Sequence, residues 1–365
     1  MTASAQGGGE MIQQQQAERQ QRAQQAFGGR RVLVTGGCGF IGSHLVDALV
    51  AAGAQVRVLD DLSTGRRVNL QEHLPSVAGE CGMAPADTSA ASSSRVELLI
   101  GDLRDQESCR RAVDGVEVVF HQAALGSVPR SMEDPATSVA VNVAGTTNLF
   151  AAARDAGVQR VVYASSSSVY GDDARLPKRE GQEGRPLSPY ALSKVQCEEL
   201  AEVFGRAYGM KFIGLRYFNV YGPRQDPAGP YAAVIPRFFD ACAAGRSPTI
   251  YGDGEQSRDF TYVADAVEAN LAAAAAESEG AWGRAYNVGG GHATTVNQLV
   301  ARVRELAGGP DPVHEPPRAG DVRASLADVA AASAAFGYRP IWDLAAGLDR
   351  AREHYLGQGL EAGGA

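Results

Sequence analysis

Short apolar runs alternate with longer stretches of helical period over the first two thirds of the chain. Residues 31–35, 55–59, 96–100, 116–120 and 160–164 are compact and rich in β-branched side chains, the pattern of buried strands. Between or after them, residues 43–52, 106–113, 138–156 and 189–208 carry helical spacing. Strand alternating with helix predicts an α/β fold with a parallel, doubly wound sheet. Beyond Tyr217, Pro, Gly and Arg punctuate the sequence and strands are short, which predicts a smaller mixed α/β substrate-binding lobe. Residues 263–276 read as a helix packing back onto the sheet, and 285–288 as a late edge strand. The expected division is thus 30–216 for the sheet domain and 217–356 for the lobe, with 262–288 partly returning. Residues 1–29, rich in Gln, Ala and Gly, read as a disordered or loosely helical tail. Residues 76–94 read as a surface insertion, and 357–365 as a second tail.

The first strand runs into Gly36-Gly37-Cys38-Gly39-Phe40-Ile41-Gly42, and a helix pattern follows. Between strand and helix, with an acid at Asp60 about 20 positions later, this is the fingerprint of a dinucleotide-binding Rossmann unit. Gly36 or Gly37 permits the tight turn, Gly39 admits a pyrophosphate, and Gly42 lets the helix pack close. The helix N-terminus then presents its N–H groups to phosphate. Asp60 is placed to accept hydrogen bonds from the adenosine ribose, which favours NAD over NADP; Arg66 and Arg67 keep NADP open. The remaining strand ends add candidate cofactor contacts: Asp61, Ser63, Thr64 and Gly65, then Asp102 and Leu103, then Gln122, Ala123 and Ala124, then Ser165.

Three groups carry chemistry at or near these strand ends. Ser165 to Ser168 follow the fifth strand. Ser188 is a natural N-cap and Pro189 a natural first helical residue, so Tyr190 and Lys194 share one face on the first turns of a helix. An ammonium nearby and the helix N-terminus both favour an ionised phenol, which can take a proton from a hydroxyl as hydride leaves the same carbon. Alone, Tyr-x-x-x-Lys is common on surface helices; its place after the glycine loop and the serine run gives it weight.

Composition narrows the function classes. The chain has 365 residues and a formal charge of −8, so nothing draws it generally to nucleic acid or anionic lipid. An anionic ligand must be held by local donors and arginines. No run is long enough to span a bilayer. The five cysteines form no Cys-x-x-Cys pair and the histidines no ligand spacing, so no metal is expected, and reduced thiols in a cytoplasmic protein are.

On these motifs the sequence resembles the extended short-chain dehydrogenase/reductase family over about residues 30–355. Within it, the chain is similar to the UDP-hexose 4-epimerases, above all those acting on N-acetylated sugars. That likeness rests on 121–131 (HQAALGSVPRS), 215–222 (LRYFNVYG), Arg224-Gln225-Asp226-Pro227 and 231–237 (YAAVIPR). The resemblance implies bound NAD, a UDP-sugar substrate and a homodimer formed by two long helices. It makes Tyr190, Lys194 and Ser166 catalytic, with Ser167 sharing the serine's role. It gives Asn142 the steadying of the active-site helix, and sets Tyr217 and Asn219 beside the nicotinamide and the diphosphate. It places Arg258 and Arg318 on the diphosphate, and Ser127, Arg130, Gln225, Val234 and Tyr251 around the substrate. Ser325 falls on the gate position, where enzymes restricted to plain sugars carry tyrosine; a small residue leaves room for an acetamido group. The acids of related dehydratases and decarboxylases are replaced by Ser167 and Ser168. A UDP-uronic acid 4-epimerase, with Arg130 on the carboxylate, and a non-catalytic NAD-binding regulator stay open.

Overall fold

The structure, a computed structural model, describes residues 3–74, 95–227, 232–317 and 322–361. The insertion expected at 76–94 and the candidate Arg318 lie outside the described residues. The chain opens with α1 (Ala3–Phe27), then β1 (Arg31–Thr35), α2 (Phe40–Ala51), β2 (Gln55–Asp60), β3 (Val96–Ile100), α3 (Gln106–Val113) and β4 (Val118–His121). Next come α4 (Val128–Glu133), α5 (Pro135–Val139), a π-helical turn (Ala140–Gly145), α6 (Thr146–Asp155), β5 (Arg160–Ser166), α7 (Pro189–Tyr208) and β6 (Lys211–Tyr217). The remainder is β7 (Val220–Tyr221), α8 (Val234–Ala243), β8 (Thr249–Tyr251), β9 (Ser257–Asp259), β10 (Thr261–Tyr262), α9 (Val263–Ala274), β11 (Arg284–Val288), β12 (Ala293–Thr295), α10 (Val296–Ala307), β13 (Val313–Glu315), α11 (Ala330–Phe336) and α12 (Leu344–Glu361).

Seven parallel strands form one sheet in the order β3-β2-β1-β4-β5-β6-β11, the doubly wound α/β arrangement that the sequence predicts. The chain winds outward from β1 in one direction, then restarts at β4 and winds in the other. The crevice at the carboxyl ends of β1 and β4 is therefore the topological switch point. Side chains alternate between two covered faces. Val32, Val34, Val58 and Phe120 join one core with α2 and α9, while Leu33, Val119 and Val161 join another with Phe150 and Phe204. Burial on both faces is why these strands lack clean polar alternation. A third core, with Phe239, Leu299 and Tyr355, joins α8, α10 and α12 in the smaller lobe. Helix α9 returns from that lobe to the first core.

Two expectations need correction and one is sharpened. Of the disordered and loosely helical readings of the first tail, the helical one holds: residues 3–27 form a helix, docked and not loose. Its residues Ala23 and Phe27 are buried in the first core, and Phe27 meets Phe120 edge-on with ring centroids 5.8 Å apart. Arg19 pairs with Asp265 at 3.0 Å and Arg22 with Glu268 at 3.2 Å, both acids on α9. Gln and Ala are good helix formers, but with few apolar positions the docking stripe is faint in the sequence. The second tail begins later than expected, because α12 continues through Glu361. The helix expected over 138–156 is broken by the π turn, which leaves the Asn142 carbonyl to accept from Thr146 Oγ1 and Cys197 Sγ.

Candidate active site

A cleft of about 310 Å³ lies at the switch point. Its lining includes every expected cofactor residue except Asn142: the glycine loop with Phe40 and Ile41, Asp60 to Gly65 apart from Leu62, Asp102, Leu103, Gln122 to Ala124, Ser165, Tyr190, Lys194 and Tyr217. Leu59, Gly101, Leu125, Gly126, Val141 and Ala164, not anticipated, complete it.

The loop's glycines are sterically required. Gly36 has φ +68°, and a Cβ there would fall 2.7 Å from the Ala123 nitrogen. A Cβ on Gly42 would fall 2.1 Å from the Gly36 carbonyl oxygen. Gly39 brings no side-chain acceptor to the first turn of α2, so the polar backbone there is left for an anionic ligand. At the other end, the Asp60 carboxylate accepts from the backbone N–H groups of Cys38 and Leu62, both at 2.9 Å. It thereby ties β2 to the glycine loop, and burial raises its pKa above the ordinary value. Of the arginines that kept NADP open, Arg66 is paired with Asp226 at 2.8 Å.

Helix α7 starts as its sequence dictates. Ser188 Oγ accepts from Ala191 N at 3.1 Å, and Pro189 fills the first turn. Lys194 Nζ donates to the Ala164 carbonyl at 2.8 Å and lies 6.0 Å from the Tyr190 ring centroid. One helical turn on, Glu198 accepts from Ser165 Oγ and from Nε and Nη2 of Arg216, the latter two at 2.9 and 2.7 Å. These contacts stitch α7 to the ends of β5 and β6. Ser166 Oγ accepts from Ser168 N at 3.1 Å, capping a short 3-10 turn, which leaves its proton to donate.

Asn142 stands behind the cleft. It donates to Ser193 Oγ at 3.1 Å and to Leu125 O at 3.1 Å, and accepts from Leu125 N at 2.8 Å. It therefore locks the 123–126 loop to α7. Tyr217 donates to Gln122 Oε1 at 3.1 Å and accepts from Asn270 at 2.7 Å, while Gln122 donates to Asn270 at 2.9 Å. Burial raises the Tyr217 pKa, so this phenol stays neutral. The sequence does not single out Asn270, Glu198 or Arg216; the available signal is a polar residue in a largely apolar strand, Arg216 in β6.

A second cavity, of about 290 Å³, lies in the lobe and gathers Asn219, Gln225, Val234, Tyr251 and Arg258 from the expected substrate set. The other described members line neither cavity. Ser127 caps α4, accepting from Arg130 N at 3.3 Å, and Arg130 lies within that helix. The Ser325 backbone N–H donates to Ser257 O at 3.1 Å, and its hydroxyl is buried without a partner. Ser127 and Asn219 hold φ of +107° and +29°, strained values for side chains other than glycine that recur at functional sites. Among the described residues no cluster of His, Cys, Asp or Glu could hold a metal. No described helix is long and apolar enough to cross a membrane.

Residues 32–289 match the model of the NAD dependent epimerase/dehydratase family. The UDP-glucose 4-epimerase of Mycolicibacterium smegmatis is 39% identical over 328 residues, which cover 89% of this chain and 98% of that protein. The UDP-N-acetylglucosamine 4-epimerase from Methanobrevibacter ruminantium, solved with UDP-N-acetylmuramic acid, superposes with a TM-score of 0.81 at 35% identity, covering 91% of this chain and all of that one. The Thermus thermophilus UDP-glucose 4-epimerase, solved with NAD, gives 0.76 at 37% identity over 90% of this chain and 99% of that one.

Proposed function

Because the chain belongs to the NAD-dependent epimerase/dehydratase family, we propose that it is an NAD-dependent UDP-sugar 4-epimerase that interconverts UDP-N-acetylglucosamine and UDP-N-acetylgalactosamine. The observation that carries this reading is the meeting of Tyr190, Lys194 and Ser165 with the glycine loop and Asp60 in one cleft. The cleft fits NAD: only glycine leaves the turn open, α2 presents its N-terminus, and Asp60 borders the opposite end. NAD, when bound, supplies a hydride acceptor that can return the hydride, so epimerisation has no net redox change.

The chain's own residues do the rest. Tyr190 takes the proton of the sugar O4 hydroxyl and later returns it. Lys194, pinned to Ala164, keeps an ammonium beside that phenol and would hold the ribose of a bound cofactor. Ser166 donates its free proton to the reacting oxygen. Arg258 holds the diphosphate, with Arg318 the second cation that the family resemblance implies, while the keto sugar turns over. Ser127, Arg130 and Gln225 contact the sugar. Ser325, at the gate position that the family resemblance implies, is smaller than the tyrosine of enzymes restricted to plain sugars, which supports the acetylated substrate. Two copies pair through the outer face of α7 and the neighbouring α4 and α5.

The test is incubation of purified protein, with no NAD added, with UDP-N-acetylglucosamine, UDP-glucose and UDP-glucuronate in separate reactions. Chromatography should show chiefly the C4 epimer of the acetylated sugar. Tyr190→Phe should keep its NAD and lose roughly 10²–10⁴ in kcat. Preferential turnover of the glucuronate would overturn the substrate assignment, and no turnover of any would overturn the reading.

A further inference from the structure

Next to Arg258, which lines the lobe cavity, stands an acid that lines neither that cavity nor the cleft. Asp259 has no exposed surface. Its carboxylate accepts three backbone N–H groups: Gly290 at 2.7 Å, Gly291 at 3.1 Å and Ala327 at 3.0 Å. Its own carbonyl accepts from Asn219 Nδ2 at 2.8 Å. Around it, β9 pairs with β12 on one side, and on the other Ser257 bridges to Ala324 and accepts from the Ser325 N–H at 3.1 Å. One side chain therefore joins the Arg258 strand, the turn at 289–291 and the strip that carries Ser325. Burying a carboxylate is costly, and pairing it with three amides offsets that cost only while all three bonds hold.

We propose that Asp259 is a positioning residue of the sugar-nucleotide site, setting Arg258, Asn219 and the Ser325 strip in one frame. Substrate affinity, and the preference for the acetylated over the plain sugar, then depend on a carboxylate that touches neither. This rests on the UDP-sugar reading above. Protonation turns one carboxylate oxygen into a donor and removes the charge that strengthens all three amide bonds, so the clamp weakens. Burial pushes the Asp259 carboxyl up to about 6, against the pull of its three amides and His292. His292, on the adjoining turn, and the Tyr338 hydroxyl, which donates to Gly289 O at 2.9 Å, are the titratable groups facing it. The site therefore loosens on the acid side of about pH 6.

The experiment compares wild type, Asp259→Asn and His292→Gln as NAD-bound enzymes. Calorimetry reads binding of UDP-N-acetylglucosamine and UDP-glucose, and steady-state rates are followed from acid to neutral pH. Asp259→Asn should retain NAD and keep kcat within about threefold, yet bind the acetylated sugar roughly tenfold more weakly and with less preference over the plain one. Wild-type KM should rise as pH falls through about 6. That rise should persist in His292→Gln and vanish in Asp259→Asn. Unchanged affinity in Asp259→Asn, or equal loss of kcat, NAD and affinity, would overturn the proposal. So would a wild-type KM that stays flat through this range, whether or not the variant folds. If wild type binds no UDP-sugar, the functional reading falls first and this inference with it.

Discussion

His121 shows how much a single side chain can be asked to hold. It is the last residue of β4, wholly buried, with Nδ1 2.7 Å from Thr35 Oγ1 and Nε2 2.9 Å from Thr146 Oγ1. Thr146 donates to the Asn142 carbonyl, so it accepts from Nε2–H, and the Thr35 hydroxyl must donate to Nδ1. The chain of bonds joins β1, β4, α6 and the π turn, and it works only with a neutral ring. Burial, and secondarily the Lys194 charge, depress the His121 pKa to about 3. A depressed histidine contributes stability that is fully present above its unfolded value, near 6.5, and is lost as pH falls toward the folded one. From this group, unfolding free energy should fall by about 1.4 kcal/mol per pH unit below pH 6.5. Urea titrations of wild type and His121→Gln at several pH values read that difference; parallel pH dependences would remove His121 as the source. The sequence places His121 at a strand end by its run of neighbours. It cannot show that the ring points inward to two threonines, one 86 and the other 25 residues away.

At the scale of elements, α7 and α1 mark opposite limits of legibility. Helix α7 is written locally: a serine cap, a proline at its start, a glycine at Gly209 with φ +71° to end it. The expected and observed spans coincide. Helix α1 depends on partners more than 200 residues away, because its anchors are Asp265 and Glu268 on α9. Arg19 and Asp265 are 11% and 1% exposed, so removing Arg19 takes the counter-charge from a buried carboxylate and leaves it the Ile341 and Trp342 N–H groups. Burial of Phe27 contributes about 1.5–3 kcal/mol in addition. Arg19→Ala should therefore lower stability by about 3–5 kcal/mol. Adding Asp265→Asn should recover part of it, as thermal unfolding of the single and double variants will read. A neutral outcome for Arg19→Ala would mean that the Arg19–Asp265 pair does not hold α1 in place. The π turn belongs here too. Its extra residue frees one carbonyl for α7, and no periodicity in 138–156 announces it.

For the whole molecule, two ion pairs add to α9 in linking the lobe to the sheet domain. Arg66 with Asp226 and Arg224 with Asp47, at 2.8 and 2.7 Å, link the cofactor loop and α2 to the 222–227 segment. Gln225 in that segment lines the lobe cavity, so cofactor and substrate sides share a border. The outer surface carries a different message. Leu192 and Val203 on α7, three turns apart on one face, are 45% and 48% exposed, and Met132 and Val139 on the adjoining helices are 62% and 39% exposed. Paired copies would bury this strip. Light scattering after gel filtration should give a dimer mass for wild type, with Leu192→Glu shifted toward monomer. A monomeric wild type would exclude the pairing.

The sequence by itself determined whatever depends on neighbours within about one strand or helix. The sheet's strands, the glycine loop, the cap of α7 and the Tyr190–Lys194 spacing are local consequences of β-branching, steric freedom and helical pitch. Tertiary structure decided what depends on distant partners. It made α1 a docked helix, put Asn270 against Tyr217 and Gln122, and set Asp259 among three amides. A buried polar group needs a bonded partner, and the chain's fold, not its local pattern, selects which one it meets.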